Sequence, residues 1–124
     1  MLENWNGDEP IYRQLRNRVL SLLMEGTYKE GEAVPSVRQV ASEYCINHLT
    51  VSKAYQELVE RGLLEKRLGL GMFVIPGARK RLHDSERDKF LTHELPGFLK
   101  RMRLLGISRE QVIKKMSKLG LSLD

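Results

Sequence analysis

The pattern that most constrains the fold of this chain runs from Val34 to Tyr55. Pro35 stops an upstream helix. The Ser36 hydroxyl can accept a hydrogen bond from an early backbone N–H of the helix, and the Gln39 side chain can accept one from the Ser36 backbone N–H, which together form a capping box. A short helix is therefore predicted to begin here. Its apolar side repeats at helical spacing and consists of Val37, Val40, Ala41 and Tyr44.

A second helix is predicted after a brief interruption at residues 45–47. Asn47 is a good N-cap, and Gly62 is a good stop. The apolar side of this helix carries Val51, Ala54, Tyr55, Leu58 and Val59. Two short helices joined by a tight turn predict a helix-turn-helix. The exposed start of the second helix offers side chains of the size that reads base edges or holds phosphates, namely Asn47, His48, Thr50 and Lys53.

A β-hairpin is predicted directly after Gly62. The residues on either side of the turn favour strands, and Gly69 and Gly71 supply the positive φ that a tight turn requires. Lys66 and Arg67 next to these glycines would let the hairpin approach a phosphate or enter the minor groove. A helix-turn-helix followed by such a wing usually places one helix in the major groove of DNA.

A series of residues between positions 9 and 76 has the order and spacing of a known family. The series is Pro10, Ile11, Tyr12, Gln14, Leu15, Gly26, Gly31, Pro35, Ser36, Arg38, Ala41, Thr50, Val51, Ala54, Tyr55, Leu58, Gly62, Leu63, Gly69, Gly71, Phe73 and Val74. It resembles the DNA-binding domain of GntR-type bacterial transcriptional regulators. The resemblance implies that Arg38 lies near the DNA backbone or base edges, that segment 47–53 enters the major groove and that the 66–71 tip enters the minor groove. The DNA-binding residues expected on both grounds are Ser36, Arg38, Asn47, His48, Thr50, Lys53, Lys66, Arg67, Gly69 and Gly71.

Two residues depart from the usual pattern of this family. Cys45 stands where many members have a glycine, and His48 stands where many have an arginine. A neutral or partly charged histidine makes a weaker and more pH-sensitive contact than a bidentate arginine. We therefore expect an operator that differs from the family's common one. Cys45 itself is expected to be a small, partly buried residue of the turn.

The formal charge of +5 suits an anionic partner but is unevenly distributed. Residues 1–76 carry nine Lys and Arg against ten Asp and Glu, a net charge of −1, whereas residues 77–124 carry twelve against six, a net charge of +6. DNA binding by the first part must therefore depend on a few locally placed cations. The basic run at residues 79–81 either adds phosphate contacts or forms a solvated linker.

The remaining composition indicates a folded protein without catalytic machinery. A hydrophobic content of 41% suffices for a core, no apolar run could cross a bilayer and no signal-peptide pattern occurs, so we expect a cytoplasmic protein. The single cysteine excludes an internal disulfide, and His48, His83 and His93 lie in different segments. No nucleophile elbow, P-loop or dinucleotide fingerprint is present. We expect no metal, no cofactor and no enzymatic activity.

Two domains are predicted. An amphipathic first helix from Ile11 to Glu25 supports the helix-turn-helix, and Pro76 with Gly77 ends the wing. Residues 1–76 form a winged helix-turn-helix DNA-binding domain, and residues 77–124 form a helical dimerisation arm. The fold class is mainly α with a small β-hairpin, an N-terminal winged helix-turn-helix domain followed by a two-helix C-terminal arm.

The arm is predicted to carry an apolar seam. From about Leu82 the sequence turns helical again, Pro96 should kink or locally open this helix, and a capping box of Ser108 and Gln111 begins a last one. Two such helices cannot enclose a core alone, so the seam needs a partner surface, most simply a second copy of the chain. The alternative is that both helices fold back on the winged domain. The seam residues are Leu91, Leu95, Phe98, Leu99, Met102, Leu105, Val112 and Met116.

The short tail after Pro76 resembles the two-helix arm of YtrA-like regulators rather than the longer effector domain of most GntR-type members. This resemblance implies a homodimer on an inverted-repeat DNA operator, repressing a neighbouring transporter operon until a small-molecule effector binds, with no membrane partner. A different function also fits the pattern. A winged-helix domain can serve as a protein-interaction module, and the C-terminal seam could bind a different protein.

Overall fold

The computed structural model describes residues 5–120 and divides into two compact units between Asp84 and Ser85. Within the described range it is mainly helical with a two-stranded antiparallel hairpin, as predicted. The first unit contains α1 (Ile11–Glu25), α2 (Val37–Tyr44), α3 (His48–Glu60), β1 (Leu64–Arg67) and β2 (Gly71–Val74). Helix α4 (Ala78–Lys89) begins in this unit and is followed along the chain by a π-helical turn (Phe90–Glu94), α5 (Leu95–Leu104) and α6 (Arg109–Lys118). No helix in the described part of the chain is long and apolar enough to cross a membrane.

The predicted starts of α2 and α3 are confirmed, and side chains cap both. The Ser36 hydroxyl accepts the backbone N–H of Gln39 at 3.1 Å, and Gln39 Oε1 accepts the N–H of Ser36 at 2.9 Å. Asn47 Oδ1 accepts the N–H of Leu49 at 2.8 Å. A helix start leaves its first N–H groups without intrahelical partners, and these side chains supply the missing acceptors. The local sequence therefore determines where the two helices of the helix-turn-helix begin.

Helix α3 is the centre of the first unit, because it contacts α1, α2 and β1. Tyr55 on α3 is buried, and its hydroxyl donates to the carbonyl of Pro35 at 2.7 Å. Burial raises the pKa of Tyr55 above its usual value, so the phenol stays a protonated donor. The largest fully buried side chains are Tyr55, Leu15, Leu23, Leu58, Leu64, Leu82, Val51 and Val74. This core fixes one face of α3 and leaves the opposite face exposed.

The wing has a third segment beside its two strands. Strands β1 and β2 pair with Leu64 opposite Val74. On the other side of β2, the N–H of Val34 donates to the Met72 carbonyl at 2.9 Å and the N–H of Val74 donates to the Glu32 carbonyl at 3.0 Å. The segment around residues 32–34 carries no strand pattern in the sequence, because it is too short to show alternation. Its bonds anchor β2 to the rest of the first unit.

The first residues of helix α4 belong to the core of the first unit. It starts at Ala78, earlier than the helical pattern expected from about Leu82, and both residues are buried. The first compact unit accordingly continues to Asp84, beyond the domain boundary that Pro76 and Gly77 suggest in the sequence. The backbone N–H of Gly77 donates to the Glu30 carboxylate, which fixes the chain where it leaves the wing.

The basic run at residues 79–81 has a structural role. Arg79 Nε donates to the Met24 carbonyl at the end of α1 at 3.0 Å, and Arg81 Nη2 donates to the Gly62 carbonyl just beyond α3 at 2.7 Å. Cations at helix C-termini satisfy carbonyl groups and interact favourably with the helix dipole. The expectation of a solvated linker is therefore wrong, because both arginines hold α4 against the ends of two core helices.

The second unit shows the predicted local opening at Pro96. Before this residue the helix widens into the π-helical turn, in which the N–H of Leu95 donates to the carbonyl of Phe90. A proline ring clashes with the carbonyl four residues earlier, and the wider turn relieves that clash. The second predicted capping box is also present, with bonds of 2.7 and 3.2 Å between Ser108 and Gln111. Neither α5 nor α6 contains a buried residue.

Candidate nucleic-acid interface

The turn between α2 and α3 depends on the backbone of Cys45. This residue has φ 56° and ψ 47°, and it is the one non-glycine residue with positive φ among residues 5–120. Glycine, which the family resemblance places here, reaches this left-handed conformation without a steric penalty, whereas cysteine does not. Cys45 is exposed, which corrects the expectation of a partly buried residue. Its Sγ lies 3.8 Å from the carbonyl oxygen of Ser42.

Three of the predicted DNA-binding side chains line one concave surface beside this turn. Arg38, Asn47 and His48 surround a recess of about 680 Å³ between α2 and the start of α3. The recess is completed by Val37, Ala41, Ser42 and Ile46. The Asn47 oxygen caps α3, so its amide N–H₂ group is the part that can face a ligand. A guanidinium, an amide and an imidazole on one exposed surface can donate to phosphates and to base edges.

A second recess of about 280 Å³ joins the wing to the exposed face of α3. It is lined by Ser36, Lys66 and Gly71 of the predicted site and by Val37, Ser52, Tyr55, Gln56 and Met72. Ser52 and Gln56 were not predicted as site residues, although they follow His48 at intervals of four and therefore share its helix face. That periodicity could have identified them. The exposed polar face of α3 thus extends from its first turn to the wing.

Lys53 contacts the first turn of α1. Its Nζ lies 4.0 Å from the centroid of the Tyr12 ring, and Arg13 Nε donates to the Tyr12 hydroxyl at 3.2 Å. This hydrogen bond raises the pKa of Arg13. Two cations therefore converge on one aromatic ring at the edge of the α3 face. Thr50, by contrast, is half-buried, so less of its side chain is accessible than the sequence suggested.

Arg67 is bonded within the wing, whereas the sequence predicts that it is available for contact with DNA. The Arg67 guanidinium stacks over the Phe73 ring at 4.2 Å, and its Nη2 lies 2.9 Å from Glu65 Oε1. The charge is therefore held along the strands and partly neutralised. A Cβ placed on Gly69 or Gly71 would meet nothing within 4 Å, so a ligand can approach the backbone closely at both positions.

The second unit contains an apolar groove of about 620 Å³ between α5 and α6. Five predicted seam residues line it, and Ile107 and Leu119 were not predicted. The full lining is Phe98, Arg101, Met102, Leu105, Ile107, Gln111, Val112, Lys115, Met116 and Leu119. Leu91, Leu95 and Leu99 do not line this groove; Leu91 and Leu99 are exposed, and Leu95 is half-buried. Phe98 is 53% exposed and Leu105 is 59% exposed, so large apolar side chains lie open to solvent.

The family profile described as "Bacterial regulatory proteins, gntR family" matches residues 11–74. The chain belongs to this family. The match runs from α1 to β2 and includes every residue of the predicted DNA-binding site.

Two GntR-type relatives come from Bacillus subtilis. The uncharacterized HTH-type transcriptional regulator YhcF is 30% identical over 114 residues, which cover 92% of this chain and 93% of YhcF. The HTH-type transcriptional repressor YtrA is 38% identical over 73 residues, which cover 59% of this chain and 56% of YtrA. The resemblance to short, YtrA-like GntR regulators is thereby confirmed.

Solved structures share the fold. A GntR family transcriptional regulator from Listeria monocytogenes has a TM-score of 0.76 at 27% identity, covering 92% of this chain and 98% of its own. The AraR DNA-binding domain in complex with operator ORX1 has a TM-score of 0.55 at 26% identity, covering 59% of this chain and 95% of its own. The protein is a GntR-family DNA-binding transcriptional regulator and not an enzyme.

Proposed function

We propose that this GntR-family regulator is a cytoplasmic, ligand-responsive repressor that binds an inverted-repeat operator near a transporter operon as a homodimer. The observation that carries the proposal is the common surface of Arg38, Asn47 and His48 at the exposed start of α3. The repressor YtrA and the operator complex of AraR support it as relatives of the same family.

Helix α3 reads the major groove in this proposal. The Gln56 amide matches the donor and acceptor pair of adenine, the Asn47 N–H₂ group can donate to a base acceptor or a phosphate, and Arg38 matches guanine or a phosphate. His48 and Ser52 lie on the same exposed helix face and would contact neighbouring base edges or phosphates. The contacts of α3 and α2 would supply sequence preference, whereas contacts to phosphates would fix the orientation of the protein on the duplex.

Lys53 and Lys66 flank the α3 face and would hold the DNA backbone on its two sides. Lys53 lies against the Tyr12 ring, which restricts where its ammonium group can go. Lys66 lines the recess between α3 and the wing. Because residues 1–76 have a net charge of −1, these placed cations matter more than the overall charge.

The helices that follow the winged unit would pair two copies of the chain. The α5–α6 groove offers an apolar surface lined by Phe98, Met102 and Met116, and a second copy would remove this surface from water. A twofold dimer presents two α3 helices to half-sites about one helical turn apart, so the operator reads as an inverted repeat. An effector that binds the DNA-free form more tightly would release the operator.

The proposal is tested by fluorescence anisotropy with a labelled duplex that carries the promoter of the protein's own operon. At physiological salt the protein should bind this duplex at least about 1,000-fold more tightly than a scrambled duplex. Arg38→Ala should remove most of this preference, because it deletes a donor from the reading surface. The fold and the dimer should persist in the variant, as judged by circular dichroism and sedimentation.

Arg109→Ala is the matched control. Arg38 and Arg109 are both exposed arginines in the first turn of a helix that a serine–glutamine capping box begins. The control removes the same charge from the second unit and should leave operator affinity within twofold of the parent protein, on the order of experimental error. If the parent shows no preference for the promoter duplex, the repressor proposal is wrong and a protein-interaction module becomes the better hypothesis.

A further inference from the structure

The groove between α5 and α6 combines an apolar base with cations at its margin. Met102 of α5 and Val112 and Met116 of α6 are its half-buried members. Arg101 and Lys115 belong to the same lining and are exposed. The groove therefore offers an apolar chain a surface on which it can leave water, and it offers a negative charge two cations.

The sequence of each helix places one cation beside the apolar stripe. Arg101 immediately precedes Met102, and Lys115 immediately precedes Met116. Neighbouring positions lie about 100° apart around a helix, so each cation stands at the side of the stripe rather than within it. The two helices thus contribute matching halves of one amphipathic groove.

The polar groups of the groove are suited to donate hydrogen bonds. Gln111 Oε1 accepts the backbone N–H of Ser108 at 2.7 Å, so the N–H₂ group of Gln111 is the part that can face a ligand. In the described part of the chain no ion pair joins Arg101 or Lys115 to a carboxylate, and the lining includes no acidic side chain. A guanidinium, an ammonium and an amide N–H₂ group match the two acceptor oxygens of a carboxylate.

The charge and the size of the groove also favour a small anion. Residues 95–120 carry seven Lys and Arg against one Glu, a net charge of +6. A second copy on this surface brings an equal positive charge, which opposes pairing, whereas an anion reduces the charge. The groove volume of about 620 Å³ lies within the range of about 300–1,000 Å³ that is typical of small-molecule sites.

We propose that the α5–α6 groove binds a medium-chain carboxylate in place of the partner arm. The apolar chain lies against Met102, Val112 and Met116, and the carboxylate lies between Arg101 and Lys115. This site rests on the proposed function, because it supplies the chemical class of the effector. A groove filled by the ligand cannot also hold the side chains of a second copy, so the ligand binds the monomer more tightly. By linkage it weakens the dimer and lowers operator affinity.

Calorimetric titration of the full chain with decanoate measures binding without DNA. Octanoate has the same carboxylate and a shorter chain, and it should bind about tenfold more weakly because it buries less apolar surface. Decylammonium has a similar chain and the opposite charge. It should bind at least about tenfold more weakly than decanoate, because the cations of the groove repel it.

Two matched pairs of residues test the role of the cations. Arg101 and Arg103 both lie in the last turn of α5, and only the former lines the groove. Lys115 and Lys118 have the same relation in α6. The groove variant carries Arg101→Gln and Lys115→Gln, and the control variant carries Arg103→Gln and Lys118→Gln. Both variants lose the same charge and the same favourable positions near helix C-termini.

The groove variant should lose at least about tenfold in decanoate affinity, because charged hydrogen bonds to the carboxylate disappear. The control variant should stay within about twofold of the parent protein, on the order of experimental error. Saturating decanoate should raise the dimer dissociation constant of the parent at least about tenfold in sedimentation equilibrium and weaken its binding to the promoter duplex in anisotropy. The groove variant should resist both effects, and the control variant should respond like the parent.

Three results would overturn the inference. The first is a parent protein that does not bind decanoate. The second is a groove variant that binds it as tightly as the parent, and the third is binding that leaves the dimer dissociation constant unchanged. A parent protein that has no preference for the promoter duplex in the absence of decanoate would instead remove the proposed function, so the two failures are distinguishable.

Discussion

Replacing Cys45 by glycine should stabilise the protein, because the residue occupies a conformation that an L side chain adopts at a steric penalty. Its φ of 56° and ψ of 47° lie at the centre of the left-handed helical region. That region costs a residue with a Cβ about 1–2 kcal/mol. Cys45 is exposed, and the one described contact of its side chain is the weak Sγ approach to the Ser42 carbonyl. Removing the side chain therefore sacrifices little packing.

The expected net gain in the free energy of unfolding is smaller than the strain energy that glycine relieves. Glycine has more conformational freedom in the unfolded chain, which offsets about 0.5–1 kcal/mol of the relief. Cys45→Gly should therefore raise the free energy of unfolding by about 0.5–1 kcal/mol and the melting temperature by about 2–6 °C. The turn keeps its backbone conformation, so operator affinity should be unchanged.

Urea unfolding followed by circular dichroism, with a reducing agent present, measures this difference at constant m-value. Ser42→Gly is a matched control, because Ser42 lies in the regular helix α2 and glycine there should lower stability by about 0.5 kcal/mol. Cys45→Ala keeps the Cβ and its strain, so it should stay close to the parent. If Cys45→Gly is no more stable than the parent, or if alanine stabilises as much as glycine, the strain argument is wrong.

Three further outcomes are expected from the contacts described above. Arg81→Ala should lower the free energy of unfolding by about 1 kcal/mol in urea titrations, because the Gly62 carbonyl loses a charged donor. The control variant Arg87→Ala should show little change in the free energy of unfolding, and Arg81→Ala should show little change in operator affinity. Phe98→Glu should raise the dimer dissociation constant at least about tenfold in sedimentation equilibrium, since it places a charge in the apolar groove, whereas Lys100→Glu lies outside the lining and should not. The pKa of Tyr55 is raised in the folded state above the unfolded value of about 10. The protonated phenol therefore contributes its full stability below pH about 10, and this stability is lost as the pH rises from there through the folded-state pKa. Tyr55→Phe should reduce that alkaline loss and cost about 1 kcal/mol at neutral pH; equal alkaline loss in both proteins would contradict this assignment.

The limits of α1, α2 and α3 could be predicted because their determinants are local. The capping box of Ser36 and Gln39 and the Asn47 cap involve residues at most three positions apart. The same holds for the local opening before Pro96, since a proline affects the turn that precedes it. Short-range signals of this kind can be read from the sequence without knowing how the chain folds back on itself.

The contacts of α4 could not be predicted, because they join distant parts of the chain. Arg79 bonds to Met24, and Arg81 bonds to Gly62, across separations of 55 and 19 residues. In the sequence the two arginines look like members of a basic surface run. A side chain that satisfies a helix C-terminus and one that binds a phosphate have the same chemistry, so only the fold separates the two roles.

Several arginines of this protein are bonded to other groups of the fold, which limits the number of cations that can contact DNA phosphates. Arg16 pairs with Glu57 at 3.4 Å, Arg67 pairs with Glu65, and Arg79 and Arg81 hold helix ends. The described cations that line the proposed DNA face are Arg38, Lys53 and Lys66, so the proposed dimer would place six of them on the operator and give a salt slope of about −5. Such a slope is about half that of repressors whose DNA binding depends mainly on many phosphate contacts. A single winged unit with three placed cations would bind weakly, so operator occupancy should depend on the proposed pairing of two arms and on uncharged contacts from α3.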